Sequence, residues 1–374
     1  MKTAFIYTPE FLKFNPPKDH PWSNNRAQVT FELCKKLDLI HRPWIDILEP
    51  PVLDEDALYL FHSRTYIDLL KEANTGQFKE EWLRYGVGTT ECPVYPGVYD
   101  YHRMAAGGTV LCADLLMKSE ADRAFNVSGG FHHAGKDFAA GFCYINDMVI
   151  AIKLLLKSFD RVMYLDIDAH HGDQVQKAFY SSNRVLTVSF HQDTKTLFPF
   201  EGGGEKEIGR GKGKGYCINV PMAPGTGDEE FLWAFEEIFI PSATSFKPDV
   251  TVAVIGTDGL APDPLANLEF TNRVYSTSVD LVCQYSQKIL ATGGGGYSLE
   301  HSCQAWALAW ATMNNLGCNE EDMVSFGGVF WGDGVCSLQG NPVFVPEKTR
   351  KKASEQLKRV VKMVKKQILP LIRS

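Results

Sequence analysis

The stretch Val162–Asp173, VMYLDIDAHHGD, decides the fold. Its first half carries Val162, Met163, Leu165 and Ile167 with almost nothing polar between them, as in a strand buried in a parallel sheet. Its second half sets five metal-seeking or proton-handling side chains within eight residues: Asp166, Asp168, His170, His171 and Asp173. Ligands of open parallel sheets gather beyond the carboxyl ends of the strands. A strand that runs out into Asp-x-Asp-x-His is therefore read as the floor of a metal site. The plainer reading, a strand followed by a capped polar turn, leaves adjacent Asp and His side chains desolvated with nothing to bind.

Working outward, further strands are expected at Thr3–Thr8, Ile45–Leu48, Ala124–Val127, Val185–Phe190, Val250–Ile255 and Lys288–Ala291. Helices are expected from a cap at Asn25 to Leu37, in two pieces over Asp54–Leu70, and over Val98–Met117, Met148–Leu156 and Gln174–Tyr180. Further helices follow over Glu229–Ile240, Asn272–Tyr285 and Leu299–Met313. Gly86–Gly97 and Gly202–Gly215 read as loops. The alternation predicts a mostly parallel sheet with helices on both faces. No linker, repeat or low-complexity tract divides the chain, so one domain over residues 1–374 is expected. Glu347–Leu371 reads as a basic helix whose stripe of Leu357, Val360, Val361, Val364 and Ile368 packs on the body.

The net charge of −7 argues against nucleic acid as the primary partner and is compatible with a lysine-bearing substrate. No apolar run approaches the roughly 18 residues of a membrane span, and MKTAFIYTPEF turns polar too early for a signal peptide. Nine cysteines without a CxxC pair fit free thiols in a reducing compartment. The expected location is the cytoplasm, with no membrane partner.

Three strand ends supply the chemistry. Asp168 and His170, two apart on an extended chain, point to one side and can reach one ion. Asp258 closes the apolar strand VTVAVIGTD. Alone it reads equally well as a helix cap; beside Asp168 and His170 it completes a two-Asp, one-His set with coordination positions to spare. Such a set suits zinc, ferrous iron or another divalent ion. His132 and His133 follow a Gly-Gly turn after another strand, and Asp166 and Asp173 are left to hold one imidazole each. Two Asp–His pairs suit a general base and a general acid. Gly293–Gly296 and Tyr297 fit neither a dinucleotide nor a phosphate loop, since GxGxxG and Gly-Lys-Ser/Thr spacings are absent. A tyrosine at such a tip can donate to an oxyanion.

Here the residues match a family. FIYTPEF, His20-Pro21, Arg26, ECPVYPGVYDY, SGGFHHA, GFCYIND, YLDIDAHHGDQVQKAFY, VSFH, KGKGY, GTDGL, GGGGY and Trp306 follow in order over about 300 residues. In these motifs the chain resembles the class I type histone deacetylases and their bacterial acetoin-utilisation relatives, within the arginase/deacetylase superfamily.

The resemblance implies a three-layer αβα domain with an eight-stranded parallel sheet, and hydrolysis of an acetyl amide. By it, Asp168, His170 and Asp258 match the zinc ligands, His132 and His133 the catalytic pair backed by Asp166 and Asp173, and Tyr297 the carbonyl-polarising tyrosine. Glu91, Gly141, Phe142, Phe198, Leu265 and Gly295 match substrate-binding positions, and Arg26 an inner acetate pocket. Two structural potassium or sodium sites match Asp166, Asp168, His170, Ser189 and Phe190, and Phe179, Ser182, Val185 and Tyr216. Arginases carry second-metal aspartates where this chain has Gly172 and Gly256, so one metal is expected. Leu265, where polyamine deacetylases carry a gatekeeper glutamate, favours acyl-lysine in a protein or peptide over a small acetylated amine, which is the alternative substrate. A silent binding protein on the same fold is the other rival, and the presence of every catalytic position speaks against it. The chain departs from the family at Glu91 (usually Asp), Phe5 (often Tyr), Gln174 (usually Gly) and in ANLEFTNRVY after Leu265.

Overall fold

The computed structural model describes residues 1–316 and 343–373. Eight strands form one all-parallel sheet: β1 Thr3–Ile6, β2 Ile45–Leu48, β3 Arg123–Asn126, β4 Val162–Asp166, β5 Val185–Gln192, β6 Cys217–Met222, β7 Val250–Val254 and β8 Ile289–Thr292. Their order across the sheet is β2-β1-β3-β8-β7-β4-β5-β6, so the decisive stretch feeds a central strand flanked by β7 and β5.

Alternation along β4 builds two cores at once. Met163 and Leu165 face one hydrophobic layer with Phe5, Phe125, Val188 and Ala253, while Val162 and Tyr164 face the other with Ala124, Val252 and Leu290. Helices α1 Arg26–Lys36, α7 Asp228–Phe246, α8 Asn272–Tyr285 and α9 Leu299–Met313 pack in series beside the C-terminal helix Glu347–Gln367. Helices α3 Arg64–Ala73, α4 Val98–Met117, α5 Asp147–Leu155 and α6 Asp173–Phe179 pack in another series, with the one-turn α2 Glu55–Leu58 ahead of α3. The result is the expected αβα sandwich. The expected apolar stripe of the C-terminal helix is buried at Leu357, Val360, Val361, Val364 and Ile368. That helix ends at Gln367, and Leu369–Leu371 form a 3-10 turn around Pro370, earlier than the expected end at Leu371.

Three readings are corrected, and one departure from the family is placed. Strand β6 was not anticipated, because Pro221 interrupts its pattern; it lies at the sheet edge, where a missing N–H is tolerated. Helix α7 continues six residues past Ile240, through Pro241 to Phe246. Phe239, Ala243 and Phe246 are buried along it, so packing outweighs the proline. Asn25 precedes α1 without capping it by side chain; its Oδ1 accepts from Ser23 Oγ at 2.6 Å instead. Phe5 lies in the core, edge-on to Phe125 and Trp310. No helix among the described residues is long and apolar enough to cross a membrane.

Candidate active site

The segments of interest leave the carboxyl ends of four adjacent strands, β3, β8, β7 and β4. Backbone bonds continue the ladder beyond the strands: Ile167 N–H donates to Val254 O (3.1 Å), Ile255 N–H to Thr292 O (3.0 Å) and Gly294 N–H to Gly129 O (3.0 Å). Side chains that are far apart in sequence are thereby fixed over one spot.

Asp168, His170 and Asp258 are all buried, with one potential donor atom from each lying within 4.8 Å of the others. His170 Nδ1 lies 2.7 Å from Asp258 Oδ2 and 3.3 Å from Asp168 Oδ1. Burial works against charge on His170, yet Asp258 and Asp168 hold it up at about 10. Burial and the charge of Asp168 push Asp258 up to about 7. Burial works against charge on Asp168 too, but His132 and His170 keep it well below the usual carboxylate range. The set demands positive charge between its carboxylates. A divalent cation supplies that with the imidazole neutral, so the donor chemistry fits a metal. Asp258 begins no helix, which removes its reading as a cap; its Oδ1 accepts from Ala169 N–H at 2.7 Å.

Glycines make room for these carboxylates. A Cβ on Gly295 would lie 2.1 Å from Asp258 Oδ2, and Gly295 N–H donates to Asp168 Oδ2 at 2.6 Å. A Cβ on Gly256 would lie 2.0 Å from Asp168 Oδ2, and one on Gly172 2.4 Å from Asp166 Oδ2. Neither Gly172 nor Gly256 admits a side chain without displacing a carboxylate.

His132 and His133 form two buried dyads. His132 Nδ1 is 2.8 Å from Asp166 Oδ2, His133 Nδ1 is 3.0 Å from Asp173 Oδ1, and their Nε2 atoms face each other at 3.0 Å. A hydrogen bond between two Nε2 atoms needs a proton on one of them. Burial works against charge on both, but Asp166 and Asp168 hold His132 up at about 9. Burial and then the charge of His132 push His133 down to about 4. The carboxylates thus favour charge on His132, and that charge disfavours it on His133.

The aromatic positions close around this pair. Phe198 stands edge-on to His133 with centroids 5.0 Å apart, and Phe142 edge-on to Tyr297 at 5.6 Å. Gly141, at φ 53°, brings its backbone so close that a Cβ would lie 2.6 Å from His133 Cδ2 and 2.9 Å from Phe198. Glu91 Oε2 accepts from Gly141 N–H at 3.3 Å, so the longer carboxylate still reaches this rim. Burial and the neighbouring Asp258 and Asp168 hold the Tyr297 phenol well above its ordinary value, leaving it a proton donor. Half-buried Leu265 lies in the loop after Asp258, its N–H bound to Asp263 Oδ1 at 2.9 Å.

Arg26 is stacked 3.7 Å from the Trp22 ring centroid, and its Nη1 donates to Gly294 O (3.0 Å) and Gly296 O (2.9 Å). It braces the glycine run. Of the first monovalent-cation set, Asp166 and Ser189 are register partners on β4 and β5, with Phe190 next along and Asp168 and His170 in the following turn. Ser189 Oγ already meets His191 Nδ1 at 2.8 Å. In the second set, Ser182 N–H bonds Phe179 O at 2.9 Å, beside Val185 at the start of β5, and Thr187 N–H bonds Tyr216 O at 3.1 Å. His171 packs on His191, centroids 4.5 Å apart, as a structural neighbour of the site.

Sequence reading missed the residues that hold these loops. Asp147 accepts from Gly130 N–H (3.0 Å) and Phe131 N–H (2.8 Å), pinning the turn before His132. Asn146 Nδ2 donates to Ala134 O (2.9 Å) and His132 O (3.3 Å). Asp263 clips Tyr297 N–H at 2.7 Å to the Leu265 loop. The signal available for the first two was the Asn-Asp pair ending GFCYIND.

Buried His62 accepts from Asn146 N–H at 2.9 Å, and burial lowers its pKa to about 4 from an ordinary 6.5. The unfolded chain takes up this proton as pH falls below 6.5, while the folded chain resists until about 4. Stability is therefore full above 6.5 and is lost through that window, on the order of 3 kcal/mol from this group. His62→Gln, which keeps an acceptor and a donor, is expected to flatten the fall of melting temperature between pH 7 and pH 4.5. Equal slopes in the two proteins would refute the assignment.

The fold and the site define a hydrolase of the arginase/deacetylase class. Residues 20–313 match the model of the histone deacetylase domain, and the chain belongs to that family. It is 36% identical over 323 residues to the acetoin utilization protein AcuC of Bacillus subtilis (strain 168), covering 84% of this chain and 82% of that one. It is 34% identical over 309 residues to histone deacetylase 1 of Homo sapiens, covering 82% of this chain and 63% of the human protein, less than two thirds of that length. The solved structure of a histone deacetylase homolog from Aquifex aeolicus aligns with a TM-score of 0.84 at 32% identity, over 96% of this chain and 100% of that one. The protein is a hydrolytic deacetylase, and acetylated compounds are its substrates.

Proposed function

We propose that this chain, as one domain over residues 1–374, removes acetyl or related acyl groups from the side-chain amine of lysine in a protein or peptide. Asp168, His170 and Asp258 would hold zinc, and ferrous iron is a competent substitute for the same donors. Bound there, the ion supplies Lewis-acid polarisation of the amide carbonyl and acidifies a water. The observation that carries the reading is the pair of imidazoles beside the Asp168–His170–Asp258 group, each held at Nδ1 by its own buried carboxylate, with their Nε2 atoms 3.0 Å apart.

Asp173 fixes the His133 proton on Nδ1, which leaves Nε2 to accept a proton from the attacking water. Asp166 does the same for His132, whose raised basicity suits it to hand a proton from Nε2 to the leaving amine. Tyr297 donates its phenolic proton to the developing oxyanion. Phe142 and Phe198, with the backbone of Gly141, line a slot for the apolar lysine stem, and Glu91 holds the substrate backbone at its mouth. Arg26 keeps the glycine turn closed over the acetyl end. The two cation sets would take potassium or sodium and stiffen the β4–β5 region.

Chelation followed by reconstitution with single ions, assayed on acetyl-lysine peptides and acetylated small amines, tests the reading. Activity is expected to vanish, to return with zinc, and to favour peptide by at least roughly tenfold in kcat/KM, the value of one added methylene-scale contact. Preference for acetylated small amines would overturn the substrate class, and undiminished turnover in the chelated protein would overturn the metal.

A further inference from the structure

Asp166 and Asp173 perform matching tasks but are held very differently. Asp166 sits in the sheet: besides His132 it accepts from Tyr164 OH (2.5 Å) and from Asp168 N–H (3.1 Å), so both of its oxygens are fixed by β4 and its turn. Asp173 opens the seven-residue helix α6. Its Oδ1 faces His133, and its Oδ2 has two side-chain donors among the described residues, the amide of Gln174 and Lys177 Nζ at 3.4 Å. The lysine side chain is 55% exposed and is shared with Glu201 Oε1 at 3.3 Å. Gln174 is buried. Asp173 also borders an open cleft of about 500 Å³ with Gln176, Lys177 and Glu201. Carboxylate torsions are broad, so an oxygen on that border turns freely unless a fixed donor holds it.

We propose that Gln174 is a positioning residue for the hydrolysis: its side-chain amide locks the Asp173 carboxylate so that Oδ1 stays on His133 Nδ1. The glycine that the family resemblance leads one to expect at this place would have no group for that task. The inference rests on the acid–base role proposed for the His133–Asp173 dyad.

The test is a double-mutant cycle of Gln174→Met with Asp173→Asn, supported by Gln174→Glu, which keeps the length but replaces the donor with a carboxylate. Steady-state rates on an acetyl-lysine peptide are expected to show kcat lowered roughly tenfold in Gln174→Met with KM little changed, the scale of one lost hydrogen bond. Gln174→Glu is expected to be at least as poor. In the Asp173→Asn background Gln174→Met should cost less than about twofold, because the group it positions is gone. In metal-free protein, the hydrogen-bonded Nδ1–H proton resonance of His133 should broaden or move in Gln174→Met. Wild-type kcat in Gln174→Met, equal penalties in both backgrounds, or an unmoved resonance each overturn the lock. Normal turnover in Asp173→Asn would remove the dyad's acid–base role and the inference with it, whereas an impaired Asp173→Asn beside an unimpaired Gln174→Met removes the inference alone.

Discussion

Asp258→Asn is expected to lose the divalent ion and to lower kcat/KM by roughly a thousandfold or more, because the site would keep two anchoring ligands where three leave it both bound and open. The substitution is nearly isosteric. Asparagine Oδ1 still accepts from Ala169 N–H, the 2.7 Å bond that ties the Asp258 turn to the turn after β4. The fold should therefore survive while the charge facing His170 Nδ1 across 2.7 Å disappears. Metal content after dialysis, measured beside the melting temperature, separates the two effects. A stably folded variant that retains stoichiometric metal would show that Asp258 is a turn residue and not a ligand.

Tyr297→Phe should leave metal content intact and lower kcat by about a hundred- to a thousandfold, the usual consequence of removing one donor from an oxyanion site. The ring stays, so its edge-on contact with Phe142 stays, and the backbone bond to Asp263 is untouched. Only the hydroxyl is deleted. Because burial and the nearby carboxylates keep that phenol protonated far above neutral pH, its contribution should hold across the physiological range. The pH profile of the residual activity should then keep the shape of the parent's, at lower height. Turnover within threefold of the parent would exclude Tyr297 as the oxyanion donor.

Much of this was legible in the sequence, for physical reasons that differ by residue. The β4 segment announced itself because a strand buried on both faces carries no charged residue until its last position, Asp166. Asp168 and His170 were legible as a pair because spacing by two is a local fact, whereas Asp258 read equally well as a cap on its own, and its closeness to the pair comes from β7 lying beside β4. Strand β6 stayed hidden because Pro221 speaks against a central strand and nothing local says that this one lies at an edge. His62 and Asp263 escaped notice because their bonds run to Asn146 and Tyr297, 84 and 34 residues away. Such braces have no pattern along the chain; they exist only once the loops are packed.

The two glycines beside the carboxylates also set what the site can accept. A Cβ at Gly256 or Gly172 would meet Asp168 Oδ2 at 2.0 Å or Asp166 Oδ2 at 2.4 Å. A further acidic side chain at either place would therefore have to move a buried carboxylate of the cluster, or the backbone beneath it, to enter. The smallest residues of the site act as spacers, and the room they leave is already taken by Asp168 and Asp166.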